Sequence, residues 1–104
     1  MGGPGGATNP EQLFAAGWAS RLHSALKTVA ARRKTGVGDS TVVAEVQVHA
    51  TPEGGFTLSS ALHVELSGVD QAAADGLVEA AHAICPYFTA TGDTIPVTVD
   101  ATVA

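Results

Sequence analysis

Between positions 10 and 33, apolar residues recur at spacings of three and four: Leu13, Phe14, Gly17, Trp18, Leu22, Ala25, Leu26 and Val29. That period predicts a helix from Pro10 to about Arg33. Thr8 or Asn9 is suited to cap its start, Pro10 to fill its first turn, and Glu11 to face the positive end of its dipole. Ala15, Ala16, Ala19 and Ala30 widen the apolar surface beyond one stripe, so the helix is expected to be covered on more than one side. Gly36-Val37-Gly38-Asp39 is expected to end it and turn the chain.

The period then changes to two. Val42, Ala44, Val46 and Val48 alternate with Val43, Glu45, Gln47 and His49. Phe56, Leu58, Ser60, Leu62, Val64 and Leu66 alternate with Thr57, Ser59, Ala61, His63 and Glu65. Two strands joined by a Pro52-Glu53-Gly54-Gly55 hairpin loop follow, each with one apolar and one polar face. Asp70 is placed to cap a second helix from about Gln71 to Ile84, stopped by Pro86. After a turn at Thr91-Gly92-Asp93, Ile95, Val97, Val99, Ala101 and Val103 predict a last strand. The order helix, strand, strand, helix, strand implies an α+β domain. Three strands are few to cover two helices, one of them roughly 36 Å long. Apolar helix surface would stay wet in a monomer, so a second subunit is expected to cover it.

Composition narrows the classes. The 104 residues suffice for one domain, spanning 1–104, with residues 1–8 a Gly-rich, flexible start. A hydrophobic share of 45% argues against disorder, and one Cys excludes an intrachain disulfide or a Cys-rich zinc site. No apolar run is long enough to cross a membrane and the first residues do not resemble a secretory signal, so a soluble cytoplasmic protein is expected. The net charge is −5. Four of the five bases (Lys27, Arg32, Arg33 and Lys34) cluster at the end of the first helix, where cations complement the dipole, and nine of the ten acids follow them. Such a chain repels phosphate backbones, which argues against a nucleic-acid partner.

Two segments carry a resemblance. Thr8-Asn9-Pro10-Glu11-Gln12-Leu13-Phe14-Ala15-Ala16-Gly17 and Ala81-His82-Ala83-Ile84-Cys85-Pro86-Tyr87 resemble the organic hydroperoxide resistance proteins of the OsmC superfamily, bacterial cytoplasmic proteins of the oxidative stress response. The resemblance covers nearly all of residues 7–103. It implies an OsmC-like fold, two long helices packed against antiparallel sheet in an intertwined homodimer. It also implies a chemistry in which a peroxidatic Cys on the first helix becomes a sulfenic acid. A resolving Cys on the second helix then closes a disulfide that dihydrolipoyl thiols reduce. A Glu and an Arg activate the first thiol. No cofactor or metal is implied.

Carried across, Glu11 matches the family Glu and Cys85 the resolving Cys, whereas Arg21 stands at the peroxidatic position. The segment Gly17-Trp18-Ala19-Ser20-Arg21-Leu22 departs from the usual Gly-Tyr-Ala-Ala-Cys-Phe, and Phe88-Thr89 replaces the common Ser-Asn. The β-region that bears the family Arg is expected to be missing, since this chain opens just before the helix motif. A guanidinium is no nucleophile, so Arg21 does not reduce a peroxide by the family route. Its place between small residues and Leu22 leads to an expectation of burial, with a carboxylate or anion as partner. Glu11 lies about 15 Å away along a straight helix, so that pair is expected only across a dimer interface. Cys85 is expected to be either a buried small apolar residue or a lone reactive thiol. His49 and His63, on adjacent strands, are candidates to approach each other, but two His without a third ligand make a poor metal site.

Three functions remain. The first is a diverged relative without two-Cys peroxidase activity. Its dimer-interface pocket, with Arg21, Glu11 and Cys85 as chemical groups and Trp18, Ser20, Leu22, Tyr87 and Phe88 as lining, would serve non-redox acid/base catalysis on, or binding of, a small apolar or anionic molecule. The second is an organic hydroperoxide reductase acting through Cys85 alone. The third is a non-catalytic scaffold or partner of a full-length relative.

Overall fold

A computed structural model describes residues 10–91 and 95–104. Helix α1 (Pro10–Arg32) is followed by strands β1 (Ser40–Ala50) and β2 (Phe56–Leu66), helices α2 (Gln71–Ile84) and α3 (Pro86–Thr91), and strand β3 (Val97–Val103). The proposed caps Thr8 and Asn9, the Gly-rich start and the turn at 92–93 lie outside the described residues. The sheet order is β1-β2-β3. β1 and β2 pair antiparallel in one unbroken register from Ser40↔Leu66 to Ala50↔Phe56. Gly54, at φ 87°, supplies the left-handed residue that the hairpin loop needs. β3 joins β2 in parallel, from Ser60↔Val97 to Leu66↔Val103. The sheet is therefore mixed rather than wholly antiparallel. The helical crossover through α2 is what a parallel neighbour requires.

Alternation decides the layers. Ser60, Leu62, Val64 and Leu66 of β2 are buried beneath the helices, while Val97, Val99, Ala101 and Val103 of β3 and Val42, Ala44 and Val46 of β1 are half-buried on the same side. Trp18, Leu22, Ala25, Leu26, Val29 and Ala30 of α1 meet Ala74, Leu77, Val78 and Ala81 of α2 above them, giving one continuous core. The opposite sheet face is polar.

Three boundaries differ from expectation. α1 ends at Arg32, one residue before the expected Arg33, and the closing residue is not one of the glycines. Lys34 turns left-handed at φ 53°, its N–H donates to the Ala31 carbonyl at 3.1 Å and the Thr35 N–H to Ala30 at 2.9 Å. This is a Schellman closure made without glycine. Pro86 stops α2 but also opens α3, because a proline lacks the N–H that a first helical position does not use. The last strand begins at Val97, two residues late, with the Pro96 carbonyl accepting the Ser60 N–H at 3.0 Å. The Asp70 cap is as expected: its side chain accepts the Ala73 N–H at 2.8 Å. Among the described residues no helix is long and apolar enough to cross a membrane.

Candidate functional site

The first turns of α1 meet the start of α3 through aromatic rings. Phe14 and Trp18, four apart and so on one helix face, are 5.5 Å apart between centroids in an edge-to-face pair. Tyr87 lies 5.5 Å from Phe14 and 5.7 Å from Trp18. Gly17 makes this possible. A Cβ there would collide with the Tyr87 hydroxyl and stand 3.1 Å from its Cζ. Trp18 is fully buried, and its indole N–H has no hydrogen-bond partner among the described residues. Phe14, Pro86, Tyr87, Ala90 and Thr91 border an open, nearly all-apolar cleft of about 290 Å³.

Cys85 joins α2 to α3. Its N–H donates to the His82 carbonyl at 3.2 Å, and its own carbonyl accepts the Thr89 N–H at 3.1 Å. The side chain has no exposed surface. Phe88 is half-buried, its ring 4.2 Å from that of His82. Burial lowers the pKa of His82 below 6.5.

Arg21 is exposed, contrary to the expected burial. Only one side of α1 is covered by the sheet and α2, and a step of about 100° from buried Leu22 carries residue 21 out of that stripe. No ion pair to Arg21 occurs among the described residues. It lies four residues, about one helical turn, beyond Gly17 on α1. Ser20 is exposed beside it. Leu22, expected to line a pocket, is instead core, 1% exposed. Glu11 is half-buried and borders a different groove, of about 430 Å³, between α1 and β1, with Gln12, Ala15 and the strand residues 44–48. Arg21 and Glu11 therefore do not meet within one chain. The structure brings together Trp18 and Tyr87 and adds Phe14 and Gly17, which the sequence places on the helix and in the first resembling segment but not among the pocket residues. The signal was the Phe14-to-Trp18 spacing of four, which puts both rings on one helix face with Gly17 beside them.

On the polar sheet face His49 and His63 do not approach each other. His49 stands opposite Thr57 and His63 opposite Val43. His49 Nε2 is 2.7 Å from the Ser59 hydroxyl. His63 lies between Asp100, 2.7 Å from Nδ1, and Glu45, 3.0 Å from Nε2. Among the described residues no group of three or more His, Cys, Asp or Glu is arranged to hold a metal ion.

This fold and the Cys85–Tyr87 corner can be set beside known proteins. The family model described as OsmC-like protein matches residues 3–100. The chain belongs to the OsmC family. An organic hydroperoxide resistance protein from Xanthomonas axonopodis pv. citri is 43% identical over 101 residues, covering 95% of this chain and 70% of the relative. The crystal structure of an OsmC-type organic hydroperoxide resistance protein from Legionella pneumophila superposes with a TM-score of 0.91 at 46% identity, over 98% of this chain and 74% of that one. An organic hydroperoxide resistance protein from Elizabethkingia anophelis, crystallised with thiocyanate bound, gives 0.91 at 38% identity, over 95% and 71%. The likeness to these OsmC-family proteins extends to the α+β packing of helices on a small sheet.

Proposed function

We propose that this OsmC-family chain has left the two-cysteine peroxidase cycle and holds a small anionic, largely apolar molecule at the Arg21 flank of α1. The observation that carries the proposal is the pairing of a lone, fully buried Cys85 with an exposed guanidinium at residue 21, the position that resembles the family's peroxidatic cysteine. The Phe14–Pro86–Tyr87 cleft supplies apolar surface, and the Tyr87 hydroxyl supplies a donor close to Gly17. Arg binds planar anions through a forked set of donors. With Glu11 from a second copy beside Arg21, the site would also have an acid/base group.

The proposed form is a homodimer. The molecule measures 47 × 33 × 20 Å, flat for its length, and leaves Leu13, Ile84 and Phe56 54%, 45% and 76% exposed. A sedimentation mass near 10.4 kDa would reject the dimer.

Thermal denaturation with octanoate, thiocyanate and, as neutral control, octanol tests the ligand. Octanoate raises Tm in the wild type and not in Arg21→Met, while octanol does neither. Equal shifts in both proteins remove Arg21 from the site. Because the relatives are named organic hydroperoxide resistance proteins, a second reading is hydroperoxide reduction, which in this chain would have to run through Cys85 alone. Consumption of cumene hydroperoxide with dihydrolipoamide, abolished in Cys85→Ala, would establish that reading and sink the first.

A further inference from the structure

His63 stands in the middle of the sheet face turned away from the helices. Its Nδ1 faces Asp100 on β3 and its Nε2 faces Glu45 on β1. At neutral pH both oxygens only accept, so both bonds exist together only when the ring carries a proton on each nitrogen. Either neutral tautomer leaves one carboxylate facing a lone pair. Asp100 is directly opposite His63 in the parallel register. Glu45 is diagonal to it, opposite Ala61 two residues earlier. One imidazolium thus links all three strands through side chains.

The charge pattern makes this link hard to replace. β1, β2 and β3 contain no Lys or Arg. The groups that flank His63 are Thr41, Val43 and Glu45 from β1, Ala61 and Glu65 from β2, and Thr98, Asp100 and Thr102 from β3. Three of these are acids and the rest are neutral. The other imidazole of this face, His49, is turned to Ser59 at the hairpin end.

We propose that Glu45, His63 and Asp100 form a proton-operated clasp across the sheet, closed while the imidazole is doubly protonated and released when it loses one proton. The hydrogen bond that the ring donates to Asp100, then the one it donates to Glu45, holds the His63 pKa above 6.5. The sign follows. The clasp's contribution is complete below pH 6.5 and is lost as pH rises through the raised folded-state value. Release leaves Glu45, Glu65 and Asp100 as three uncompensated anions. The strands that lose this side-chain link are the two outer ones, β1 and β3, which keep their backbone ladders to β2, and β1 walls the groove that Glu11 borders. All three side chains are about half exposed, so added salt weakens the effect.

Proton NMR of the His63 ring and amide exchange across pH 5.5–9, at low ionic strength, test the clasp in the intact chain. His63 titrates above 6.5, and Asp100→Asn or Glu45→Gln brings it down. Once intrinsic exchange is corrected for, β1 and β3 amides lose about two- to fivefold protection relative to α2 as His63 deprotonates, the scale of one cross-strand pair. His63→Gln abolishes that pH dependence. A wild-type His63 titrating at or below 6.5, or the same loss of protection in His63→Gln, overturns the proposal.

Discussion

At Gly17 one missing carbon decides the geometry of the aromatic corner. Tyr87 lies over that glycine, with its hydroxyl where a Cβ would be. Gly17→Ala gains helix propensity of about 1 kcal/mol but forces the ring away, and overpacking costs about 1–3 kcal/mol. The expected net is a loss of roughly 1 kcal/mol in urea unfolding, with octanoate binding weakened because Tyr87 is displaced. In a Tyr87→Phe background the loss shrinks, since the first atom struck is gone. A Gly17→Ala protein more stable than wild type would show that the corner has room. Arg21 belongs to this scale as well. Its identity as a cation, which cannot act as a nucleophile, was legible from the residues alone. Its exposure was not, because the sequence shows a helix rich in alanine but not which of its sides a neighbour covers. Leu22 and Ser20 bracket it in the chain and end in opposite environments, core and solvent.

Among the elements, periodicity did most of the work. The period of three to four over α1 and the period of two over β1 and β2 each follow from which side of the chain must be dry. Asp70 was readable as a cap because a carboxylate three residues before an N–H has one favoured use. The end of α1 was harder. The helix's length was legible, but glycines at 36 and 38 were the candidates to turn the chain, and Lys34 takes the left-handed position instead. A side chain there costs about 1–2 kcal/mol in steric strain, which the two closing hydrogen bonds and the Thr35 turn offset. Lys34→Gly is therefore expected to stabilise the protein by about 0.5–1 kcal/mol, seen as a higher denaturant midpoint with an unchanged slope. No gain would mean that Gly36 already relieves the turn. The parallel pairing of β3 was illegible for another reason. Alternation fixes which face of a strand is buried, but not the direction in which it runs beside its neighbour.

For the whole molecule, the histidines set opposing pH limits. His82 is half-buried, its Nδ1 has no hydrogen-bond partner among the described residues, and burial holds its pKa below 6.5. Burial, then Lys27, does the same for His23, whose Nε2 lies 2.6 Å from the Ser40 hydroxyl. A depressed imidazole contributes stability above pH 6.5, and that contribution is lost as pH falls, because the unfolded chain binds the proton more readily. His63 has the opposite sign and acts on the alkaline side. Stability should therefore pass through a maximum near neutrality, with His82 and His23 shaping the acid limb and His63 the alkaline one. Measuring Tm from pH 5 to pH 9 separates them. His82→Leu flattens the fall below pH 6.5 and leaves the alkaline limb in place, whereas His63→Gln does the reverse. If His82→Leu falls as steeply in acid as the wild type, His82 is not the group that the core excludes from water. The acid limb would then belong to His23, where α1 meets β1, and His23→Gln would remove it.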